Sequence, residues 1–378
     1  MRVGLDGFPL LTPRTGVGHY TFELARALAL LAPSDEFELV APGPFPSSII
    51  EDIRRNCPDN LRAVNAEANS IRRRRWWAVG LPLYLRKASL DLFHGTNYEV
   101  PLWSKRRSVL TIHDLSILLH ADTHEAGLAR RARRRLPVMA RSASMIITPT
   151  ETVKREVSER LKVDPEKIVV TPEAPRRGFQ RMASEEAAET KQRLGVEDEF
   201  LLFVGTIEPR KNLLTLVRAF GQILRLTSRH PQLVIVGAEG WLMNELFAFI
   251  KESGIGDRLH LTGYLNDDDL RALYSSCTVF VYPSIYEGFG LPPLEAMACG
   301  APVIASDIAT FRETLGGAAQ LVNPNDVDAI AGSIVEILDD EGRRRALSHR
   351  GLAHAKKFSW EKTARLTLEV YREVLRQA

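Results

Sequence analysis

The sequence predicts an α/β protein built from two doubly wound parallel sheets, and three observations lead there. Short apolar runs alternate with helical patterns in two successive series, one before residue 169 and one from residue 200 onward. Between them the pattern breaks at Pro172 and Pro175, followed by a polar stretch. The length, 378 residues, exceeds one ordinary core and suits two.

Taken in order, residues 2–6 read as a short apolar strand and 18–31 as a helix. Further strand-like runs lie at 36–41, 91–94, 108–112 and 144–148, with helical segments between most of them, including 128–141 and 151–161. The break at 169–178 and the polar stretch 182–199, with one amphipathic helix, set a domain boundary between 1–172 and 173–358. The second series has strands at 200–205, 232–237, 259–262, 278–282 and 302–306. Its helices are 212–226, 242–253, 268–275, 292–299 and 326–338. An amphipathic helix over 360–375, opened by Ser359 as an N-cap, is expected to bring 359–378 back onto the first domain. Two such sheets predict an interdomain cleft at their C-terminal edges, where ligands of doubly wound folds bind.

Composition narrows the class. Apolar residues make up 45% and charged residues 26%, as in ordinary globular proteins. Cys57, Cys277 and Cys299 are far apart and share no metal-ligand spacing, which argues against a disulfide framework. The N-terminus lacks the apolar core of a signal peptide, and no run of 18 apolar residues occurs, so a cytoplasmic enzyme is expected. Charge is uneven. Residues 1–172 carry 26 Lys and Arg against 19 Asp and Glu, a net of +7, whereas 173–378 carry 24 against 28, a net of −4. The excess sits in IRRRRWW (Arg72, Arg73, Arg74, Arg75) and LARRARRRL (Arg130, Arg131, Arg133, Arg134, Arg135). Aromatics beside the first run suit an anionic membrane surface or a lipid diphosphate, so the expected location is cytoplasmic and peripheral at the inner membrane face. No nucleic-acid module is recognisable.

The chemistry concentrates in residues 282–306, YPSIYEGFGLPPLEAMACGAPVIAS. A strand ends at Tyr282, a loop carries Gly288 and Gly290, and Pro292 and Pro293 stand where a helix starts. Backbone N–H groups and the helix dipole at such a start can bind phosphate, and glycine lets a ligand approach the main chain. Glu287 and Glu295 would repel a pyrophosphate. They are therefore expected to accept from neutral hydroxyls, Glu287 on a hexose and Glu295 on a ribose. The compensating cations are Arg210 and Lys211 in VGTIEPRKN, where another strand turns into a helix.

These strings resemble the retaining glycosyltransferases of family 4, which have the GT-B fold of two Rossmann-like domains and share a Glu-x7-Glu element. VGTIEPRKN is similar to the mannosyltransferase-like members. The resemblance implies that Glu287 contacts the donor sugar and that Gly288, Phe289, Gly290 and Leu291 surround sugar and phosphates. It places Glu295 on the ribose, Arg210 and Lys211 on the diphosphate, and the stretch of Gly263, Tyr264 and Leu265 along the base. Thr206 stands where many relatives have Arg, which leaves more phosphate charge to Arg210 and Lys211. In the first domain, Gly16 and Gly18 would form a loop closing over the diphosphate. His113 matches the histidine near the transferred sugar, and His94, Asn97 and Tyr98 would line the acceptor side.

Simpler readings compete. Gly16-Val-Gly18 could open a dinucleotide site, but Thr21 occupies the third glycine position. Arg210 and Lys211 could be solvated, His94 and His113 structural. Asp267-Asp268-Asp269 reads as helix capping rather than a metal site. The expectation is a retaining transferase needing neither metal nor cofactor. It would move a hexose, mannose from GDP-mannose by the VGTIEPRKN similarity, to a glycan or lipid-linked acceptor of a surface polysaccharide. The alternatives are a UDP-sugar transferase, a nucleotide-sugar epimerase, a noncatalytic nucleotide-sugar-binding scaffold and an NAD-dependent dehydrogenase.

Overall fold

A computed structural model describes residues 1–12, 14–66, 70–102, 107–241 and 243–377. Contacts divide the chain into two compact units. The first comprises Met1–Leu119, Ala126–Ala174 and Ser359–Ala378, and the second His120–Glu125 and Pro175–Phe358.

The first unit holds strands β1 (Arg2–Asp6), β2 (Glu36–Ala41), β3 (Leu61–Asn65), β4 (Leu92–Gly95), β5 (Arg107–Thr111), β6 (Met145–Thr148) and β7 (Ile168–Val170). They pair in the order β3-β2-β1-β4-β5-β6-β7, all parallel. The second unit holds β8 (Phe200–Val204), β9 (Gln232–Val236), β10 (Leu259–Gly263), β11 (Val279–Tyr282), β12 (Val303–Ser306) and β13 (Gln320–Val322). Their order is β10-β9-β8-β11-β12-β13, again parallel throughout. Each order reverses once, between β1 and β4 and between β8 and β11. That switch point is where a doubly wound sheet opens a crevice at its carboxyl edge.

The central strands are apolar on both faces and fully buried, as parallel sheets covered by helices require. The sequence reading does not include β3, β7 and β13. All three are sheet edges; β7 and β13 are only three residues long, too short to show a strand pattern, and β3 is interrupted by the exposed Arg62. The expected helix start at Leu242 lies outside the described residues, and the helix is described over Asn244–Ser253. The last residue of the expected C-terminal segment, Ala378, also lies outside them. The helix Trp360–Arg376 is capped by the Ser359 side chain, which accepts from Lys362 N, and it packs on the helix Gly16–Leu31. Thr363 Oγ1 donates to Pro172 O at 2.6 Å, which ties this helix to the end of the first unit's last strand segment.

Candidate active site

The residues between β8 and β11 are placed by two loops that leave the carboxyl edge of the sheet at its switch point. After β8 the chain makes a 3₁₀ turn, Pro209–Lys211, and enters the helix Leu213–Leu226. Asn212 joins the two in a left-handed conformation (φ 58°), which a short amide side chain tolerates. Its Nδ2 lies 3.1 Å from Pro283 O and 2.7 Å from Pro324 O, and its Oδ1 accepts from Thr215 Oγ1 at 2.6 Å. Ile285 N donates to Arg210 O at 2.9 Å. The loop after β11 is thereby stitched to the turn after β8.

That stitching gathers four charges. Lys211 Nζ donates to Tyr282 OH at 2.7 Å and to Glu287 Oε1 at 2.5 Å. Tyr282 OH and Ser284 Oγ lie 3.1 and 2.7 Å from the same oxygen. Arg210 Nη1 stands 3.1 Å from Glu287 Oε2 and donates to Tyr286 O at 2.9 Å. Its Nη2 meets Glu208 Oε1 at 2.5 Å. Arg210 and Lys211 are therefore not solvated cations but half of a balanced, buried quartet completed by Glu208 and Glu287. Glu208 is absent from the sequence reading, although it stands two residues before Arg210. An ammonium has three donors, and the Lys211 contacts above use two. Glu287 Oε1 is crowded by three donors, which leaves Oε2 as the oxygen with acceptor capacity for a sugar hydroxyl.

Burial raises the cost of every charge in the quartet, and it is unequally borne. For Glu287, burial pushes the carboxyl up, but Lys211 and Arg210 outweigh it and hold the pKa at about 2 against an ordinary 4.5. For Lys211, burial and the Arg210 charge push the ammonium below its ordinary value, only partly offset by Glu287. A carboxyl whose folded pKa lies below its unfolded one stabilises fully above about pH 4.5 and loses that stabilisation as pH falls towards 2. The contribution at stake is on the order of 3 kcal/mol. In denaturant unfolding between pH 5 and 2, the wild type should therefore lose about that much more stability than Glu287→Gln, whose neutral amide does not titrate. Parallel pH profiles would show that Glu287 does not carry this coupling.

The helix Leu291–Ala298 opens at Gly290, with φ 101°. Pro292 and Pro293 have no N–H, so among its first three residues only Leu291 carries a donor. The main-chain cradle expected at this start narrows to Phe289, Gly290 and Leu291. The carbonyls behind it are held: Thr310 Oγ1 donates to Glu287 O at 2.7 Å and Thr314 Oγ1 approaches Phe289 O at 2.9 Å. Gly288 is buried, and the Phe289 ring packs edge-on against Phe358. Thr206 is half-buried between β8 and the 3₁₀ turn. In the turn after β10, Tyr264 is 63% exposed and Leu265 packs on the core.

Glu295 does not join this quartet. It is buried, and both its oxygens accept from Arg176, which the sequence reading does not single out. The expected lone acid for a ribose is thus a paired acid. Asp267, Asp268 and Asp269 fill the first turn of the helix Asp267–Ser276, whose cap is Asn266: its Oδ1 accepts from Asp269 N at 2.9 Å, while Asp267 and Asp269 pair with Arg176 and Arg193.

In the first unit, Gly16 and Gly18 do not form a loop. They lie in the first turn of the helix Gly16–Leu31, and a side chain at Gly18 would meet Pro9 O at 3.1 Å. Packing, not only ligand approach, therefore asks for glycine there. His94 is corrected too. It is fully buried, with Nδ1 2.7 Å from Tyr371 OH and Nε2 2.7 Å from Thr111 Oγ1. Burial, with a smaller push from His113, depresses its pKa to about 3, so it is a neutral strut to the C-terminal helix and lines no acceptor surface. Asn97 and Tyr98 are half-buried, and Tyr98 OH accepts from Asp114 N at 3.2 Å.

His113 has partners on both nitrogens. Nε2 must donate, because it faces Thr96 O at 2.8 Å, and Nδ1 lies 2.8 Å from Glu173 Oε1. Burial pulls the imidazolium down, but Glu173 outweighs it and the pKa is raised. Tyr20 packs edge-on to the ring at 4.6 Å. Glu173, missed from sequence, is the main cause of that rise. Among the described residues no three His, Cys, Asp or Glu side chains are grouped so as to hold a metal, and no helix is long and apolar enough to cross a membrane.

Comparison with known proteins follows the same division. Residues 184–354 match the family described as glycosyl transferases group 1, and residues 14–174 match glycosyltransferase family 4. The chain is 32% identical over 378 residues to the O-antigen chain mannosyltransferase B of Escherichia coli, covering 96% of this chain and 97% of the relative. It is 29% identical over 363 residues to the D-inositol 3-phosphate glycosyltransferase of Acidothermus cellulolyticus, covering 91% and 78%. Among solved structures, sucrose-phosphate synthase from Thermosynechococcus elongatus superposes with a TM-score of 0.80 over 100% of both chains, at 22% identity. That last likeness concerns the fold.

Proposed function

Since this chain belongs to the glycosyltransferases of group 1 and family 4, with the GT-B fold, we propose that it transfers mannose from GDP-mannose, with retention and without a bound metal, to a glycan or lipid-linked acceptor of an O-antigen-type polysaccharide. The observation that carries the reading is the buried quartet at the β8/β11 switch point. There, two cations and an acid converge beside a glycine-gated helix start. The name of the Escherichia coli relative supports mannose and the O-antigen class.

In this reading the remaining Lys211 donor, the Arg210 guanidinium and the N–H groups of Gly290 and Leu291 take up charge as the diphosphate leaves. Fixed donors in a water-poor site need no reorganisation at that moment. Glu287 Oε2 accepts from a hydroxyl of the mannose. The bond from the anomeric carbon to the phosphate oxygen breaks. The acceptor oxygen bonds to that carbon on the same face, and its proton passes to the departing phosphate oxygen. No side chain of the quartet acts as a nucleophile. His113, hydrogen-bonded to Glu173, is assigned to the sugar side.

The first unit meets the acceptor, and an anionic membrane surface is its second partner. Arg72, Arg73, Arg74 and Arg75 are exposed beside Ile71, which is 69% exposed, and Arg130, Arg131, Arg133 and Arg134 are exposed on the helix Ala126–Ser142 beside Leu128.

One experiment tests both halves. The chain is titrated with GDP-, UDP- and ADP-linked sugars in the presence of EDTA, and products are analysed with and without acceptor. Its sedimentation with vesicles containing phosphatidylserine is compared with that of phosphatidylcholine vesicles. The expected result is GDP-mannose binding that EDTA does not abolish, an α-linked product and selective sedimentation. Preference for a UDP-sugar would overturn the donor, EDTA-abolished transfer the metal independence, and a mannosyl adduct on the protein the direct displacement. Equal sedimentation with both vesicles would remove the membrane partner.

A further inference from the structure

The second unit contains a further buried ion pair that the quartet does not use. Arg176 Nε and Nη2 donate to Glu295 Oε1 and Oε2 at 2.7 and 2.9 Å, and Arg176 N reaches Oε1 at 3.4 Å. Nη1 donates to Asp267 Oδ1 at 2.5 Å. The guanidinium carbon lies 4.2 Å from the centre of the Phe179 ring. The Glu295 and Arg176 side chains are only 4% and 12% exposed, against 54% for Asp267. Two acids and an aromatic face leave the planar fork a single orientation.

The three charged groups come from separate segments. Arg176 follows the start of the second unit by one residue, Asp267 opens the helix after the Tyr264–Leu265 turn, and Glu295 stands one turn inside the helix Leu291–Ala298. The guanidinium therefore ties the turn assigned to the base to the acid assigned to the ribose. Ion pairs this buried are poor stabilisers, because desolvation consumes most of the Coulombic gain, and apolar replacements are often as stable. In some proteins their return is a fixed geometry. Here the geometry leaves one definite acceptor. Oε1 is met by both Nε and the backbone N–H, whereas Oε2 is met by Nη2 alone and keeps a lone pair.

We propose that Arg176 is a positioning residue for nucleoside recognition: by clamping Glu295 in one rotamer it presents Oε2 to a ribose hydroxyl, and so makes the site discriminate ribo- from deoxyribonucleotides. The inference deepens the donor site proposed above and rests on that reading.

The test is calorimetric titration of the full chain with GDP, 2′-deoxy-GDP and 3′-deoxy-GDP. A hydroxyl bonded to a carboxylate is expected to make GDP bind on the order of 10- to 100-fold more tightly than one of the deoxy forms. Arg176→Gln should bring that ratio close to one, and Arg176→Lys, which keeps the charge but not the fork, should retain part of it. Glu295→Gln, close in shape, should lose the ratio equally, and the double variant should be no worse than either single one, because Arg176 acts through Glu295. A merely structural ion pair would lower the melting temperature without moving the ratio. If Arg176→Gln does not fold, the Arg176→Lys and Glu295→Gln arms decide. Wild-type binding without ribose discrimination, or an unchanged ratio in the folded Arg176 variants, overturns this inference and leaves the donor site standing. Absence of any binding to GDP, UDP or ADP overturns both.

Discussion

Replacing Lys211 with Met should lower kcat/KM by roughly 100- to 1000-fold, the range seen when one fixed donor is removed from a dry site that stabilises developing charge. Methionine keeps most of the buried volume and removes only the ammonium. The change also touches the fold: Lys211 is buried, and its Nζ is one of the three donors on Glu287 Oε1. Removing one partner of a buried pair strands the other, so stability should fall by about 3 kcal/mol as well. The two effects separate by measurement. Steady-state kinetics well below the variant's melting transition report the first, and denaturant unfolding reports the second. Near-normal kcat/KM in the folded variant would remove Lys211 from the chemistry. An unchanged unfolding midpoint would mean that the ion pair contributes nothing net.

Gly290→Ala should strongly destabilise the second unit and disable the site at once. Gly290 sits at φ 101°, outside the region open to other residues, which costs on the order of 1–3 kcal/mol for a side chain. An added Cβ would lie 2.5 Å from Phe311 Cε1, and Phe311 is fully buried, so overpacking adds a further 1–3 kcal/mol or so. Together they predict a loss of about 3 kcal/mol or more in unfolding free energy. A shift of the helix start should also displace the N–H groups of Gly290 and Leu291 and abolish turnover. Combining Gly290→Ala with Phe311→Leu makes room for the methyl group. It should recover part of the packing term while the backbone strain persists. A single variant of wild-type stability would show that the loop can relax, and with it that glycine is not required for packing there.

The legibility of the site in the sequence follows the range of the forces involved. Strands β8, β9, β11 and β12 were readable because a parallel strand covered on both faces must be apolar along its length. The helix start at Gly290-Leu291-Pro292-Pro293 was readable because glycine and proline act on their own backbone. The edge strands β3, β7 and β13 were not, being short or partly solvated, although the edge strand β10 was. Side-chain partnerships across the chain were harder still. Nothing local distinguishes Arg176 as the partner of Glu295, 119 residues away, or Glu173 as the partner of His113, 60 residues apart. His94 looked like a cleft residue because it ends a strand. Its two bonds, one to Tyr371, 277 residues away, make it a strut.

Local chemistry and periodicity were thus sufficient for most strands of the two sheets and for their loops with Arg210, Lys211, Glu287 and Glu295, and the motifs in those loops carried the resemblance to the glycosyltransferase family. These depend on residue type and short-range spacing. The pairing of charges depended on the folded chain: which acid neutralises which cation, that Arg176 grips Glu295, and that His94 is spent inside the core. Coulombic and hydrogen-bond partners are chosen by distance in space, over separations where the sequence carries no ordering, and burial then sets how strongly each choice shifts a charge.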